Sequence, residues 1–138
     1  MPISNILQPI AIPPASTSNN GLMTAADKQT LTGLVTDTET DSGATITLTL
    51  ANNTIYELTA TALTSLTISG VETGFSYASV TFTSGSTATV FAMPASGWYC
   101  VGSEDCNNGV FTPAADMRYN LAICQETGRI AVYVMRAL

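Results

Sequence analysis

Few side chains in this sequence have the types and spacing to do chemistry. Cys100, Cys106 and Cys124 are its thiols, and the chain contains no histidine. Without an imidazole the commonest acid–base group near neutral pH is missing, and so are the Ser-His and Cys-His nucleophile pairs. The cysteines show no duplicated CxxC spacing. A zinc ion held by them would need a fourth ligand from Asp, Glu or another chain. An odd set of three is not a disulfide framework; the spacing allows either a Cys100–Cys106 bridge across a short loop or three ordinary thiols.

Carboxylates are the remaining candidates. A glycosidase needs only two of them, about 5–9 Å apart. Glu57 and Glu72 fall in β-like sequence, whereas Glu104 and Asp105 fall in a long loop. Nothing in their spacing makes them converge. Asp37, Glu39 and Asp41 alternate through residues 36–42. That stretch lacks the loop glycine and terminal Glu of an EF-hand, so it is expected to be a solvated linker. No glycine-rich phosphate loop follows a strand and opens a helix. The expectation is therefore no enzyme, no catalytic residue, no cofactor and no metal.

Binding chemistry has a better footing. Residues 94–111 hold the single tryptophan, Trp98, with Tyr99 beside it, the acidic pair Glu104 and Asp105, and Asn107 and Asn108. An aromatic next to polar groups can stack on a sugar ring or anchor a protein contact. The competing expectation is that Trp98 fills the core or a sheet end.

The surface that must carry these groups is short of charge. Only 10% of the 138 residues are charged, the formal net charge is −6, and Lys28, Arg118, Arg129 and Arg136 are the basic residues. Such a surface neutralises almost no phosphate, which argues against nucleic-acid binding, and it has no attraction for an anionic membrane. The N-terminus has no basic region before its aliphatic residues and is broken by Pro2, Pro9, Pro13 and Pro14, so no signal peptide is expected. No window is long and apolar enough for a membrane-inserted helix. The expectation is a protein that is made in a cytoplasm, or that leaves by a route the sequence does not show.

Three segments follow from the patterning. Residues 1–20 place Ile3, Ile6, Leu7, Ile10 and Ile12 among prolines, which forbid a helix or a central strand and favour extended chain. The plain alternative is a disordered tail, but such tails usually lack aliphatics, so these five side chains are expected to dock an arm on a partner or on a neighbouring subunit. Each fully buried one contributes roughly 1.5–3 kcal/mol. In residues 21–42, a short helix is expected over 22–35. Thr24 and Asp27 form its capping box, and Gly33 marks its stop. At three turns it would be marginal alone and must lie against its own domain or copies of itself. Leu22, Met23, Leu31 and Leu34 are the oligomerisation candidates.

From residue 43 to 138 the period becomes two. In Thr45–Leu50, Ile46, Leu48 and Leu50 share one face and the threonines the other. About eight short strands separated by Gly- and Asn-containing turns predict an all-β, small antiparallel β-sandwich of jelly-roll-like type, preceded by the arm and the one short α-helix. No helical crossover intervenes, so a parallel sheet is not expected.

Residues 20–34, with Gly21, Leu22, Met23, Ala25, Ala26, Asp27, Lys28, Leu31 and Gly33, resemble the "GLMSAADKxKLDGI" element of bacteriophage tail fibres, head fibres and related appendages. Thr24 stands for the usual Ser and preserves the cap. Thr32 stands where Asp is common, and Leu34 where Ile is common. The β-region is similar to small C-terminal domains of phage structural proteins. Thr81, Phe82, Thr83, Ser84 and Gly85 match an "xFTSG" strand and turn. Gly109, Val110, Phe111, Thr112 and Pro113, with Arg118 and Tyr119, match a "GVFxPxxxxRY" stretch before a final hairpin.

This resemblance implies a virion protein, made in the host cytoplasm, whose arm attaches to a capsid or other virion protein, commonly as a homotrimer. The chain lacks the long shaft and tip of a full tail fibre, so a head fibre or capsid decoration is the expected role. The alternative is a carbohydrate- or receptor-binding tip, recognising a host surface glycan through Trp98 and Tyr99.

Overall fold

The computed structural model describes residues 37–102 and 104–137. The expected arm, the expected helix over 22–35 and its oligomerisation residues lie outside them. Every regular element among the described residues is a strand.

The period-two pattern sets the faces as expected. In Thr45–Leu50 (β2), Ile46 and Leu50 are buried and Leu48 half-buried, while Thr45, Thr47 and Thr49 face outward. Thr54–Leu58 (β3), Ser65–Val71 (β4), Tyr77–Thr83 (β5) and Val90–Ala92 (β6) follow in chain order. Ahead of them Asp37–Asp41 forms β1, so the expected acidic linker is a strand. Its register with β3, from Asp37 opposite Thr54 to Asp41 opposite Leu58, explains why. An edge strand needs backbone partners on one side only, and its exposed carboxylates deter further pairing.

The pairing departs from the antiparallel, jelly-roll-like expectation. β1, β3 and β5 are mutually parallel in one sheet, and β2, β4 and β6 are mutually parallel in a second. The chain alternates between the two sheets, so it winds through successive turns of two strands each. Parallel strands require a crossover of a dozen or more residues, usually helical. Here the crossover is a strand of the opposite sheet. Side-chain alternation reports which face is buried and carries no information on strand direction.

The turns are stacked by polar side chains at one corner. Asn52 Oδ1 accepts from the backbone N–H groups of Ser76 and Tyr77 at 2.8 and 3.0 Å. The Asn53 N–H donates to Tyr77 O, and the Asp37 N–H to Asn53 O. Asn53 takes φ 54°, a left-handed value that Asn tolerates. Between β2 and β4 the register skips Ser69, whose hydroxyl donates to Leu48 O at 3.0 Å and hydrogen-bonds Thr49 Oγ1 at 2.8 Å. The extra residue is thus held as a bulge.

The rest of the chain closes the first sheet. Trp98–Gly102 (β7), Cys106–Asn107 (β8), Val110–Phe111 (β9), Arg118–Glu126 (β10) and Arg129–Ala137 (β11) complete the set. β10 and β11 form the expected antiparallel hairpin around a two-residue turn, and β10 pairs antiparallel with β5. β7 joins the far edge parallel to β11, giving the order β1-β3-β5-β10-β11-β7. The β8–β9 hairpin shields that edge, with the Cys100 N–H donating to Gly109 O at 2.9 Å.

One hydrophobic core joins both sheets, drawing Ile46, Leu50, Leu66 and Ile68 from one and Val80, Leu121, Ile123 and Val132 from the other. Its densest part is aromatic. Phe111 lies 4.9 Å from Phe91, 5.1 Å from Tyr119 and 6.3 Å from Phe82, centroid to centroid. Phe82 on β5, Phe111 on β9 and Tyr119 on β10 thus meet in one cluster. Ser84, just after β5, is buried and accepts from the Thr89 N–H at 2.8 Å, and Thr89 in turn donates to Leu63 O. Among the described residues no buried side-chain polar atom lacks a partner.

Candidate functional site

The candidate carboxylates are not brought into a catalytic pair. Glu57 lies on β3, while Glu104 and Asp105 follow β7 at the opposite side of the sheet, with β5, β10 and β11 between. Glu72 sits in the turn after β4. Glu104 and Asp105 both engage Arg136 on β11. Arg136 Nε reaches Asp105 Oδ2 and Nη2 reaches Oδ1, each at 2.8 Å, and the Tyr119 hydroxyl donates to Oδ2 at 2.7 Å. Tyr119 itself accepts from the Ala114 N–H. Burial pushes the Tyr119 phenol above its ordinary pKa, and the Asp105 bond raises the Arg136 guanidinium further. This arrangement fastens a loop to the last strand.

The cysteines resolve between the alternatives left open by sequence. Cys100 and Cys106 are bridged, with Cα atoms 5.9 Å apart, and Cys124 is a free thiol on β10. Burial raises the Cys124 pKa, with a smaller contribution from Glu126, which makes it a poor nucleophile. Among the described residues no three His, Cys, Asp or Glu side chains group together to hold a metal ion.

Trp98 and Tyr99 are adjacent in sequence and therefore point to opposite faces of β7. Trp98 is half-buried against the core. Tyr99 is 42% exposed on the outer face of the six-stranded sheet, and there it has company that the sequence did not reveal: Tyr77 at 41%, Tyr133 at 36% and Met135 at 53%. Tyr77 stands opposite Cys124, Cys124 opposite Ala131, and Ala131 opposite Tyr99. Two small residues, Cys124 and Ala131, thus separate the two tyrosines along this row. Tyr133 stands one row further along, opposite Ala122 and Val101.

Charge holds two of these rings in place. The Arg129 guanidinium lies 4.9 Å from the Tyr99 ring centre and bonds Glu126 at 3.1 Å. The Tyr133 hydroxyl donates to the other Glu126 oxygen. The Tyr133 hydroxyl and then Arg129 hold the Glu126 carboxyl below its ordinary pKa, and Glu126 raises that of Tyr133. Rings fixed in advance lose less freedom when a ligand stacks on them.

A cleft of about 500 Å³ lies at the other end of the same sheet. Glu57, Thr81, Thr83 and Arg118 line it from β3, β5 and β10, and Thr59 and Thr61 from the segment after β3. The register accounts for the lining. Glu57 stands opposite Thr81, and Thr83 opposite Arg118, all on outward positions of the pleat. The chain matches no protein-family model, no characterised protein and no solved structure at a significant level.

Proposed function

We propose that this chain is a phage virion structural protein, a head fibre or capsid decoration, anchored by residues 1–20 and presenting its β domain outward. Ile3, Ile6, Leu7, Ile10 and Ile12 bury themselves on a capsid or other virion protein. Leu22, Met23, Leu31 and Leu34 join copies into a homotrimer, so that three arms engage together and strengthen attachment by multivalency. The observation that carries this reading is a contrast within the sequence. The segment holding those five aliphatics is broken by prolines, whereas residues 37–137 supply both sheets of a continuous core. Residues 20–34, whose sequence resembles an element of phage appendages, lie between the two in the chain. Electron microscopy of intact particles with a label on the β domain tests it. Label at regular positions on the capsid is the expected result, and unlabelled particles would exclude it.

A second reading is favoured by the outer sheet face. Tyr77, Tyr99 and Tyr133 share it, and Arg129 and Glu126 hold two of the rings. Exposed aromatics beside hydrogen-bonding groups suit a host surface glycan. In this reading Tyr99 is the ligand contact and Trp98 its support from the core side. A glycan array with the full chain tests it; retention of glycans that is lost in Tyr99→Ala is the expected result.

A further inference from the structure

We propose that the cleft lined by Glu57, Thr59, Thr61, Thr81, Thr83 and Arg118 binds a carbohydrate bearing a single carboxylate, of the uronic-acid type. The inference deepens the glycan-binding reading and rests on it for the general class of ligand. The binding position is different, at the end of the sheet away from Tyr77 and Tyr99.

The argument begins with charge. Among the described residues, Arg129 is ion-paired with Glu126, and Arg136 with Glu104 and Asp105, whereas the Arg118 side chain takes part in no ion pair or hydrogen bond. The Glu57 side chain is likewise without either. An exposed guanidinium with no protein carboxylate on it presents a planar fork that matches a ligand carboxylate with two parallel bonds. The rest of the chain sets a limit on that ligand. With a net charge of −6, the protein repels a polyanion, and one guanidinium compensates one negative charge.

Glu57 and the threonines define the rest of the molecule. A carboxylate that accepts hydrogen bonds needs donors, and sugar hydroxyls are donors; a second anionic group there would be repelled. Thr59, Thr61, Thr81 and Thr83 add four hydroxyls able both to donate and to accept. Glu57 and Arg118 flank β5 one row apart, so strand spacing and rise put their Cα atoms roughly 12 Å from each other. That gap accommodates a pyranose ring with a carboxylate at one end and vicinal hydroxyls at the other. The cleft volume of about 500 Å³ is within the usual range for small-molecule sites.

Titration of the full-length protein with D-glucuronate and D-galacturonate, followed by ligand-observed NMR, tests the proposal. Glucose, galactose and propionate serve as probes that lack one half of the pattern. At least one uronate is expected to bind about tenfold or more tightly than each of these. Arg118→Ala is expected to weaken it by about tenfold or more, and Arg118→Lys by less. The Thr81→Val, Thr83→Val double variant is expected to weaken it several-fold. Near-UV circular dichroism checks that each variant stays folded.

Equal binding of neutral sugar and uronate would overturn the proposal. So would uronate binding that survives Arg118→Ala, and so would the absence of any uronate binding. Glycan binding that is lost in Tyr99→Ala but unchanged in Arg118→Ala would overturn the cleft while leaving the aromatic face as the glycan site.

Discussion

Arg136 on β11 grips both oxygens of Asp105, 31 residues earlier, through two bonds of 2.8 Å. Asp105 also receives the Tyr119 hydroxyl, and its backbone carbonyl accepts from the Thr112 N–H at 3.0 Å. One residue thus ties the loop after β7 to β10 and β11 through its carboxylate and to the segment after β9 through its carbonyl. Asp105→Ala leaves Tyr119 without its acceptor, and losing a bond to a charged group costs about 2 kcal/mol. Urea unfolding should show that loss, while Asp105→Asn, which keeps an acceptor, should lose less.

Phe111 is the side chain through which the β8–β9 hairpin enters the core. It touches Phe91 from one sheet and Tyr119 and Phe82 from the other. Phe111→Ala should cost about 3–5 kcal/mol, the usual range for a buried aromatic. A Phe111→Leu variant should recover a good part of it. The midpoint of urea unfolding, at unchanged slope, reads both.

Alkaline pH acts on the buried phenols. Burial is the chief cause of the raised pKa of Tyr56 and of Tyr119. The folded chain therefore holds protons that the unfolded chain releases from about pH 10 upward. Their contribution is complete below that pH and is lost as pH rises through the folded values. Stability should fall across this window. Tyr119→Phe should flatten the fall, and the tyrosinate absorbance of the folded protein should rise later than that of the unfolded chain.

Reducing the Cys100–Cys106 bridge frees a short loop. Chain-entropy reasoning puts the loss near 2 kcal/mol for a loop of this length. Dithiothreitol should lower the urea midpoint accordingly. The Cys100→Ser, Cys106→Ser double variant should no longer respond to dithiothreitol, and Cys124→Ser should behave as the parent.

The strands were legible in the sequence because burial alternates with the pleat, as in β2, and because the turn at residues 127 and 128 marks a hairpin. Direction and order were not. Whether β3 lies beside β2 or beside β1 depends on long-range pairing, which alternation does not encode. β1 was hidden because carboxylates at alternate positions look like a solvated linker when their backbone partners are unknown. The same blindness concealed the outer face. Tyr77 and Tyr99 share one row only because β7 crosses to pair with β11, and Glu57 and Arg118 line one cleft only because β3 and β10 flank β5. The pairing of Trp98 with Tyr99 was misleading for a local reason, since neighbours on a strand face opposite ways.

The central claim is that the front of the chain attaches and the β domain is carried. Particles assembled with a chain lacking residues 1–15 test it most directly, by the ratio of this protein to the shell protein after purification. The account predicts that the truncated chain folds with the circular dichroism of the parent and is missing from the particles. Normal occupancy by the truncated chain would contradict it.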